Sequence, residues 1–380
     1  MATQVLTTTS PHDLPVPQIL EPHQFQNLPP FPNDIPTAPL VRLSLKQLRK
    51  ADSESLRLFE SCKNLGFFYL DLRGDVEGEA LLKEAGQLFD FAPKFYDLGA
   101  EELRKYDRQS QGSYIGYKGF GSNIVDEKGN LDRSEFYNIP KDEFLNISPN
   151  PYDHPQLIYD NKPVIVSYIL HSHSLVSFIL THLNKHLRLP LETLTKLHAL
   201  QSPSGDQIRL IKAPPQPPSD QQLSLGKHTD FGSVTLLFNR LGGLQILPPP
   251  SIVPDGTEPQ WTFVKPLPGH CIVNLGDAMT KFTRGVLRSN IHRVVSPPGE
   301  QATQTRYSLV YFSRPNDDVP LKGLDDGGNE GVIPKWEGEG EEDGMNSKDW
   351  ILLQALRLKS DNNILVEERK KLWEASGRGT

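Results

Sequence analysis

The sequence is 380 residues long, and its 40 Lys and Arg against 47 Asp and Glu give a formal net charge of −7. With 37% hydrophobic and 23% charged residues, the chain has the composition of a globular protein that buries a sizeable core. The acidic balance argues against a general nucleic-acid binder, because no basic excess is available to neutralise phosphates.

The sequence shows no pattern typical of a membrane span, a secretion signal or a disulfide framework. There is no run of about 18 apolar residues, so we expect no membrane span. The N-terminus lacks a basic segment followed by an apolar one, and we therefore expect a cytoplasmic protein. Two cysteines, Cys62 and Cys271, are too few for a disulfide framework or a Cys-ligated zinc module. We expect both to be small buried residues.

The first half of the chain predicts an extended arm followed by helices. Residues 1–40 are rich in proline, which indicates an extended segment. A helix is predicted from about residue 53 to Gly66, followed by a strand over residues 66–70. Apolar residues at helical spacing between Leu81 and Ala92 predict a second helix, and residues 163–187 predict a third, longer one.

From about residue 208 the pattern changes to short apolar runs separated by turn residues. This spacing predicts an antiparallel barrel or jelly roll, and 33 Pro and 29 Gly favour the same conclusion. The predicted strands are residues 234–238, 244–247, 261–264, 271–275, 292–295 and 307–312. An acidic loop at residues 337–343 precedes a last helix from about Ser347.

These elements suggest one integrated unit with four regions. They are a Pro-rich arm (1–40), a helical N-terminal region (41–205), a mainly β core (206–315) and an acidic loop with C-terminal helices (316–380).

Residues His228 and Asp230 form a His-x-Asp motif just ahead of a predicted strand. Side chains two apart on a strand share a face, so an imidazole and a carboxylate would converge. By itself this motif is weak evidence for a metal site. His292, on another predicted strand, offers a third ligand, and two His with one carboxylate are the ligands of non-haem Fe(II) oxygenases.

A second motif follows the distant histidine. Arg306 and Ser308 share one strand face, and an Arg-x-Ser pair can grip a carboxylate by a charge-assisted fork and a hydroxyl contact. Val310 and Phe312 continue that face, and an arginine on an otherwise apolar face requires a buried anion.

The order of these motifs resembles that of 2-oxoglutarate- and Fe(II)-dependent dioxygenases of the isopenicillin N synthase-like family, its fungal members in particular. The resemblance extends from about residue 38 to residue 315. The stretches that carry it are residues 35–41, 62–68, 228–237, 242–245, 273–277, 289–295 and 306–309.

This resemblance implies a double-stranded β-helix, or jelly roll, mainly β with helical additions. It implies His228, Asp230 and His292 as catalytic iron ligands, and Arg306 with Ser308 as the site for the distal carboxylate of 2-oxoglutarate. Many relatives also have Asn-x-Tyr shortly before the His-x-Asp motif. Here Ile211 and Ala213 occupy those positions, so both contacts to 2-oxoglutarate are missing.

The expected activity is that of an oxidoreductase in secondary metabolism. With Fe(II), 2-oxoglutarate and O2 it would hydroxylate, desaturate or cyclise a small organic molecule and release succinate and CO2. Two alternatives stay open: a same-family oxidase that uses the iron triad without 2-oxoglutarate, and a non-catalytic small-molecule-binding module. We expect no nucleic-acid or membrane partner and a monomer, with a higher oligomer left open.

Aromatic residues near the motifs are candidates for the substrate pocket, since rings offer large apolar contacts. These are Tyr114, Tyr117, Phe120, Phe231 and Phe312, for which ordinary core packing is the competing interpretation. His171, His182 and His186 share one helical face, but no carboxylate joins them, and we interpret them as packing or exposed residues rather than as zinc ligands.

Overall fold

A computed structural model of the chain describes residues 25, 27–217, 219, 221–325, 331–338 and 344–357. The predicted arm lies mostly outside the described residues, as do residues 339–343 of the predicted acidic loop. The division into four regions therefore stays a prediction.

Helices dominate the first half of the described chain, as predicted. The long ones begin and end within a few residues of the predicted limits, and one helix closes the described chain. Their bounds are α1 Leu45–Leu48, α2 Asp52–Asn64, α3 Val76–Tyr96, α4 Gly99–Arg104, α5 Lys141–Phe144, α6 Gln156–Asp160, α7 Lys162–His186, α8 Thr193–Lys196, α9 Asp277–Phe282 and α10 Ser347–Arg357.

The strands form two sheets, and the predicted jelly-roll core is confirmed. Their bounds are β1 Val41–Ser44, β2 Phe67–Asp71, β3 Gly116–Lys118, β4 Glu135–Pro140, β5 Gln207–Ala213, β6 Leu225–His228, β7 Val234–Asn239, β8 Leu244–Ile246, β9 Thr262–Phe263, β10 His270–Leu275, β11 His292–Val294 and β12 Arg306–Ser313. The larger sheet has the order β1-β2-β10-β7-β12-β5-β4-β3, and the smaller has the order β6-β11-β8-β9.

The two faces of the larger sheet have different neighbours. On β12, Leu309 and Tyr311 are buried in the main apolar core with residues of α3 and α7. Alternate residues of a strand point to opposite faces, so Arg306, Ser308 and Phe312 face away from these helices. On that inner side, residues of β2 and β10 form a second apolar cluster with β8 of the smaller sheet. The functional side chains therefore face the space between the sheets.

Helix α7 is the one described helix that is long and apolar enough to cross a membrane, by length and composition alone. The search of the sequence for an uninterrupted apolar run missed this helix, because polar residues interrupt it. Half of its most apolar window is buried within the protein, where α7 packs against α2, α3 and α5. Most of its apolar residues, among them Ile169, Val176 and Leu183, belong to the main core, whereas Leu170 is exposed.

We predict that Gly66→Ala strongly destabilises the fold. Gly66 follows α2 with a φ of +73°, and a Cβ there would lie 2.2 Å from the backbone oxygen of Arg288. Left-handed backbone costs a non-glycine residue roughly 1 kcal/mol, and the clash adds to it, so we expect a loss of about 2 kcal/mol or more.

Gly129→Ala is the matched control for this measurement. Gly129 has a φ of +82°, but a Cβ there would meet no atom within 4 Å. We expect it to lose about 1 kcal/mol from backbone strain alone. Urea unfolding measures both values, and equal losses in the two variants would contradict the contact with Arg288.

Candidate metal centre and cosubstrate site

The three predicted metal ligands come together between the two sheets. His228 ends β6 and His292 begins β11, and the two residues are direct partners in the antiparallel ladder. Their ring centroids lie 4.1 Å apart. The prediction that Asp230 lies on the same strand as His228 was wrong, because Asp230 lies in the connection between β6 and β7. The ligand atoms of all three residues lie within 4.8 Å of one another.

Two side chains of the larger sheet orient the carboxylate of Asp230. Thr235 Oγ1 on β7 donates to Asp230 Oδ2 at 2.6 Å, and Asn274 Nδ2 on β10 donates to the same oxygen at 2.7 Å. The other oxygen, Oδ1, lies 3.9 Å from Nε2 of His228 and 3.9 Å from Nε2 of His292. One carboxylate oxygen is thus held by the sheet while the other faces the histidines.

Backbone carbonyls orient both imidazoles in the same way. Nδ1 of His228 lies 2.9 Å from the carbonyl oxygen of Gly226, and Nδ1 of His292 lies 3.1 Å from that of Asn290. A ring that donates from Nδ1 presents Nε2 as a lone-pair donor, which is the usual second contact of a metal-ligating histidine. Phe67 packs edge-on against the His292 ring at 5.4 Å. Two such nitrogens and one carboxylate oxygen fit an Fe(II) ion that keeps open positions.

The pKa of Asp230 is consistent with a permanently ionised ligand. Burial alone would raise this pKa, but the neighbouring His292 and His228 and the hydrogen bonds from Thr235 and Asn274 outweigh it and hold the pKa below its usual value. Asp230 is therefore a carboxylate at neutral pH. Among the described residues, these three form the only cluster of His, Cys, Asp or Glu with ligand atoms close enough to share an ion.

The helical histidines are explained without a metal. His182 Nδ1 lies 2.7 Å from the hydroxyl of Ser55, and His186 Nε2 lies 2.9 Å from the same oxygen. His171 Nδ1 lies 2.8 Å from Glu84 of α3, so the expectation that no carboxylate joins these histidines was wrong, although a single carboxylate at His171 makes no metal cluster. These contacts agree with the interpretation of that helix face as packing.

Arg306 is a buried cation at the start of β12. Its Nε donates to the carbonyl oxygen of Gly242 at 2.7 Å, and its Nη1 donates to the hydroxyl of Ser308. Within the described part of the chain, no carboxylate lies within ion-pair distance of it. Burial lowers its pKa to about 10, so it remains charged. A buried guanidinium without an anion fits the distal carboxylate of 2-oxoglutarate.

The register of β5 places the two unusual residues beside this arginine. Ala213 pairs with Arg306 and Ile211 pairs with Ser308, so the missing Asn and Tyr side chains would have faced the same space. Neither residue offers a polar side chain to a bound acid. Arg306 and Ser308 thus provide the polar side chains on this face of the ladder, since Lys212 and Tyr307 pair on the opposite face.

A cavity lies beside the metal ligands. His228 and Asp230 line it together with four of the five predicted substrate residues: Tyr114, Tyr117, Phe231 and Phe312. Phe120 is not in this lining, and half of its side chain is exposed to solvent. Phe120 lies in the turn that follows β3, and the spacing of residues in the sequence could not indicate that its side chain is exposed. The role of the other four in substrate binding stays a prediction.

We predict that His228→Ala, Asp230→Ala and His292→Ala each lose Fe(II) binding, and with it turnover, while the fold survives. A three-ligand site loses its geometry when one ligand is removed, but the surrounding apolar core is unchanged. Iron content after anaerobic loading and thermal melting measure the two effects. His171→Gln, which removes a histidine outside the cluster, should bind iron normally. Near-normal iron content in any of the three alanine variants would refute the assignment.

Comparison with known proteins agrees with this geometry. Residues 204–315 match the family model of the 2OG-Fe(II) oxygenase superfamily. Residues 38–161 match the N-terminal region described as non-haem dioxygenase in morphine synthesis. The first match contains the metal cluster and Arg306, and the second contains most of the helical layer.

Curated fungal proteins are similar over most of their length. A 2-oxoglutarate-dependent dioxygenase of Aspergillus fumigatus is 35% identical over 311 residues, which cover 78% of this chain and 80% of the relative. The 2-oxoglutarate-dependent dioxygenase gloE of Glarea lozoyensis is 31% identical over 288 residues, covering 75% of this chain and 82% of the relative.

Solved structures share the fold. Full-length Neurospora crassa T7H in complex with alpha-KG superposes with a TM-score of 0.67 at 20% identity, covering 83% of this chain and 95% of that one. A putative 2OG-Fe(II) oxygenase family protein from Caulobacter crescentus gives 0.64 at 24% identity, covering 85% and 100%. The chain belongs to the 2OG-Fe(II) oxygenase superfamily and is a 2-oxoglutarate-dependent dioxygenase that uses Fe(II).

Proposed function

We propose that this dioxygenase oxidises a C–H bond of a small organic molecule bound in the cavity beside His228 and Asp230. Hydroxylation is the default outcome, and desaturation or ring closure requires only a different placement of the substrate. The observation that carries the proposal is the arrangement of the site. The metal ligands lie beside a cavity lined by aromatic rings, and Arg306 is a buried cation outside that lining.

The residues of the chain position the reactants. Iron, 2-oxoglutarate and O2 supply the oxidising power and yield succinate and CO2. Thr235 and Asn274 hold the Asp230 carboxylate in place, and the backbone carbonyls hold the two imidazoles. Arg306 and Ser308 bind the distal carboxylate of 2-oxoglutarate. Tyr114 and Phe312 line the space for the substrate and reduce its access to water.

We further propose a monomer in the cytoplasm, without a nucleic-acid or membrane partner. The net charge of −7 is unfavourable for phosphate backbones. Most apolar residues of α7 are packed inside the protein, and both cysteines are free and buried, as in proteins of reducing compartments. A role in secondary metabolism is supported by the match of residues 38–161 to a region described from morphine synthesis.

Succinate release tests the proposed function. Purified enzyme with Fe(II), 2-oxoglutarate and O2 is incubated with a library of small molecules, and we expect some of them to stimulate succinate formation. Mass spectrometry of those reactions should show a product that gains one oxygen or loses two hydrogens. Oxidation of a compound without any need for 2-oxoglutarate would support the oxidase alternative. Iron binding without oxidation of any compound would support a binding module.

We predict that Arg306→Gln raises the 2-oxoglutarate concentration needed for half-maximal turnover by about 30-fold or more. Removing one partner of a desolvated charge pair costs about 2–5 kcal/mol, and each 1.4 kcal/mol is a factor of about ten. The missing Asn and Tyr contacts at Ile211 and Ala213 leave Arg306 with more of the affinity. Titration of 2-oxoglutarate against succinate formation measures the change.

Iron affinity and the lysine variant are the controls for this prediction. Iron binding should hardly change in Arg306→Gln, because the arginine is not a metal ligand. Arg306→Lys should recover only part of the loss, since an ammonium cannot reproduce the planar fork. An unchanged 2-oxoglutarate requirement with weaker binding of the main substrate would assign Arg306 to the substrate instead.

We predict that Phe312→Ala changes substrate affinity or product pattern more than it changes iron binding. Phe312 lies in the cavity lining on the same strand face as Arg306. If the ring touches the substrate, its removal should cost roughly 3 kcal/mol of substrate-binding free energy. The KM of an identified substrate, iron content and thermal melting measure the three effects. Unchanged kinetics with a lower melting temperature would show that Phe312 is only a core residue.

A further inference from the structure

Two arginines line the cavity next to the metal ligands, and neither was among the residues predicted from sequence. Arg209 lies on β5 and Arg314 directly follows β12, and both belong to the same lining as His228 and Asp230. Burial, and after it the charge of Arg314, lowers the pKa of Arg209 to about 9. Two like charges thus share a buried space, which is unfavourable unless an anion joins them.

Arg209 is held in place by aromatic rings rather than by a carboxylate. Its guanidinium carbon lies 4.1 Å from the ring centroid of Phe136 and 4.8 Å from that of Phe312. Its Nε donates to Asn138 Oδ1 at 2.7 Å. No carboxylate of the described residues lies within 4.0 Å of its guanidinium. The position of this cation is therefore set while its charge is not neutralised.

Arg314 occupies a space that two glycines leave open. A Cβ on Gly205 would lie 2.8 Å from Arg314 Nη1, and a Cβ on Gly232 would lie 2.9 Å from Arg314 Cγ. Nη1 donates to the carbonyl oxygen of Gly205 at 2.7 Å, and the guanidinium carbon lies 4.9 Å from the ring centroid of Tyr114. Its Nε is buried and has no hydrogen-bond partner in the structure. A buried donor of this kind is costly until a ligand accepts from it.

Other charged residues of the cavity form no ion pair with Arg209 or Arg314 among the described residues. Lys118, also in the lining, donates to the carboxylate of Asp132 and to the carbonyl oxygen of Ser134, so its charge is already matched. The carboxylate of Asp230 is directed to the two histidines and serves the metal. Arg306 is absent from this lining and belongs to the 2-oxoglutarate side. The lining therefore contains two arginines with no carboxylate of the described residues within 4.0 Å of either guanidinium.

We propose that the substrate is an organic acid whose carboxylate binds between Arg209 and Arg314, with its apolar body directed along the aromatic rings to the metal. This inference rests on the proposed function, and it adds the chemical class of the substrate. Planar guanidinium groups match a carboxylate through paired hydrogen bonds, and their stacking on Phe136, Phe312 and Tyr114 pre-organises them. The carboxylate would anchor one end of the molecule and so select which C–H bond reaches the metal.

Binding of acids and of their neutral counterparts tests the proposal. The probes are a panel of aromatic and aliphatic monocarboxylic acids, beginning with 3-phenylpropionate, each paired with its primary amide of nearly the same shape. Affinities are measured by calorimetry on anaerobic enzyme loaded with Fe(II) and 2-oxoglutarate, so the result does not depend on turnover. We expect acids among the binders and a loss of about tenfold or more for their amides.

Arginine variants then locate the preference. Arg209→Gln and Arg314→Gln should each remove most of the difference between acid and amide, and Arg209→Lys should keep part of it. Arg49→Gln is the matched control, because Arg49 also stacks on a ring, that of Phe178 at 4.9 Å, but lies outside the cavity lining. It should leave the preference unchanged. Melting temperatures identify any variant that fails to fold, and the remaining variants decide the outcome.

The outcomes separate this proposal from the proposed function. A panel in which no acid binds, or in which amides bind as tightly as acids, overturns the proposal. Preservation of the acid preference in both glutamine variants overturns it as well. Succinate formation from 2-oxoglutarate in the presence of each binder is followed in parallel. If acids bind through both arginines but no compound stimulates succinate formation, the acid site stands and the proposed function fails.

Discussion

The carboxylate of Asp230 is the contact on which the site depends, because it connects the two sheets. Its Oδ2 accepts hydrogen bonds from Thr235 and Asn274 on the larger sheet, and its Oδ1 faces His228 and His292 on the smaller sheet. A buried carboxylate with one oxygen held by two donors has little freedom to rotate. The relative position of the sheets therefore sets the geometry of the metal ligands.

Three arginines lie close to the metal ligands or in the cavity beside them. Arg209 and Arg314 line the cavity beside the metal ligands and Arg306 lies outside that lining, and none of the three has an ion-pair partner among the described residues. Burying such cations costs free energy that the protein recovers only when acids bind.

Aromatic rings, rather than carboxylates, are the neighbours of the Arg209 and Arg314 guanidinium groups. Phe312 lies 4.8 Å from the guanidinium carbon of Arg209 and 5.9 Å from that of Arg314, so one ring contacts both. A ring face attracts a cation without neutralising it, which leaves the charge available to a ligand. Phe312 therefore has a second role beside apolar contact, because it helps to position the arginines.

The sequence by itself determined the jelly-roll class, the approximate limits of the long helices and the residues of the metal cluster. These depend on local periodicity and on motifs of a few residues, such as His228-x-Asp230 and Arg306-x-Ser308, which survive in any correct fold. The resemblance to a known family added the roles of these motifs. That resemblance also showed that Ile211 and Ala213 replace the usual Asn and Tyr, but their pairing with Ser308 and Arg306 became known only from the register of β5.

Only the tertiary structure decided which distant side chains meet. Thr235 and Asn274 come to Asp230 from separate strands, and Arg209 and Arg314, more than a hundred residues apart in the chain, line the same cavity. The exposure of Phe120 and the position of Asp230 between β6 and β7 could not be predicted from the sequence either. Local patterns record which face of an element is buried, but the pairing of strands is set by the packing of the whole core. The shared space between the sheets, and with it the charge of the substrate site, could therefore be seen only after folding.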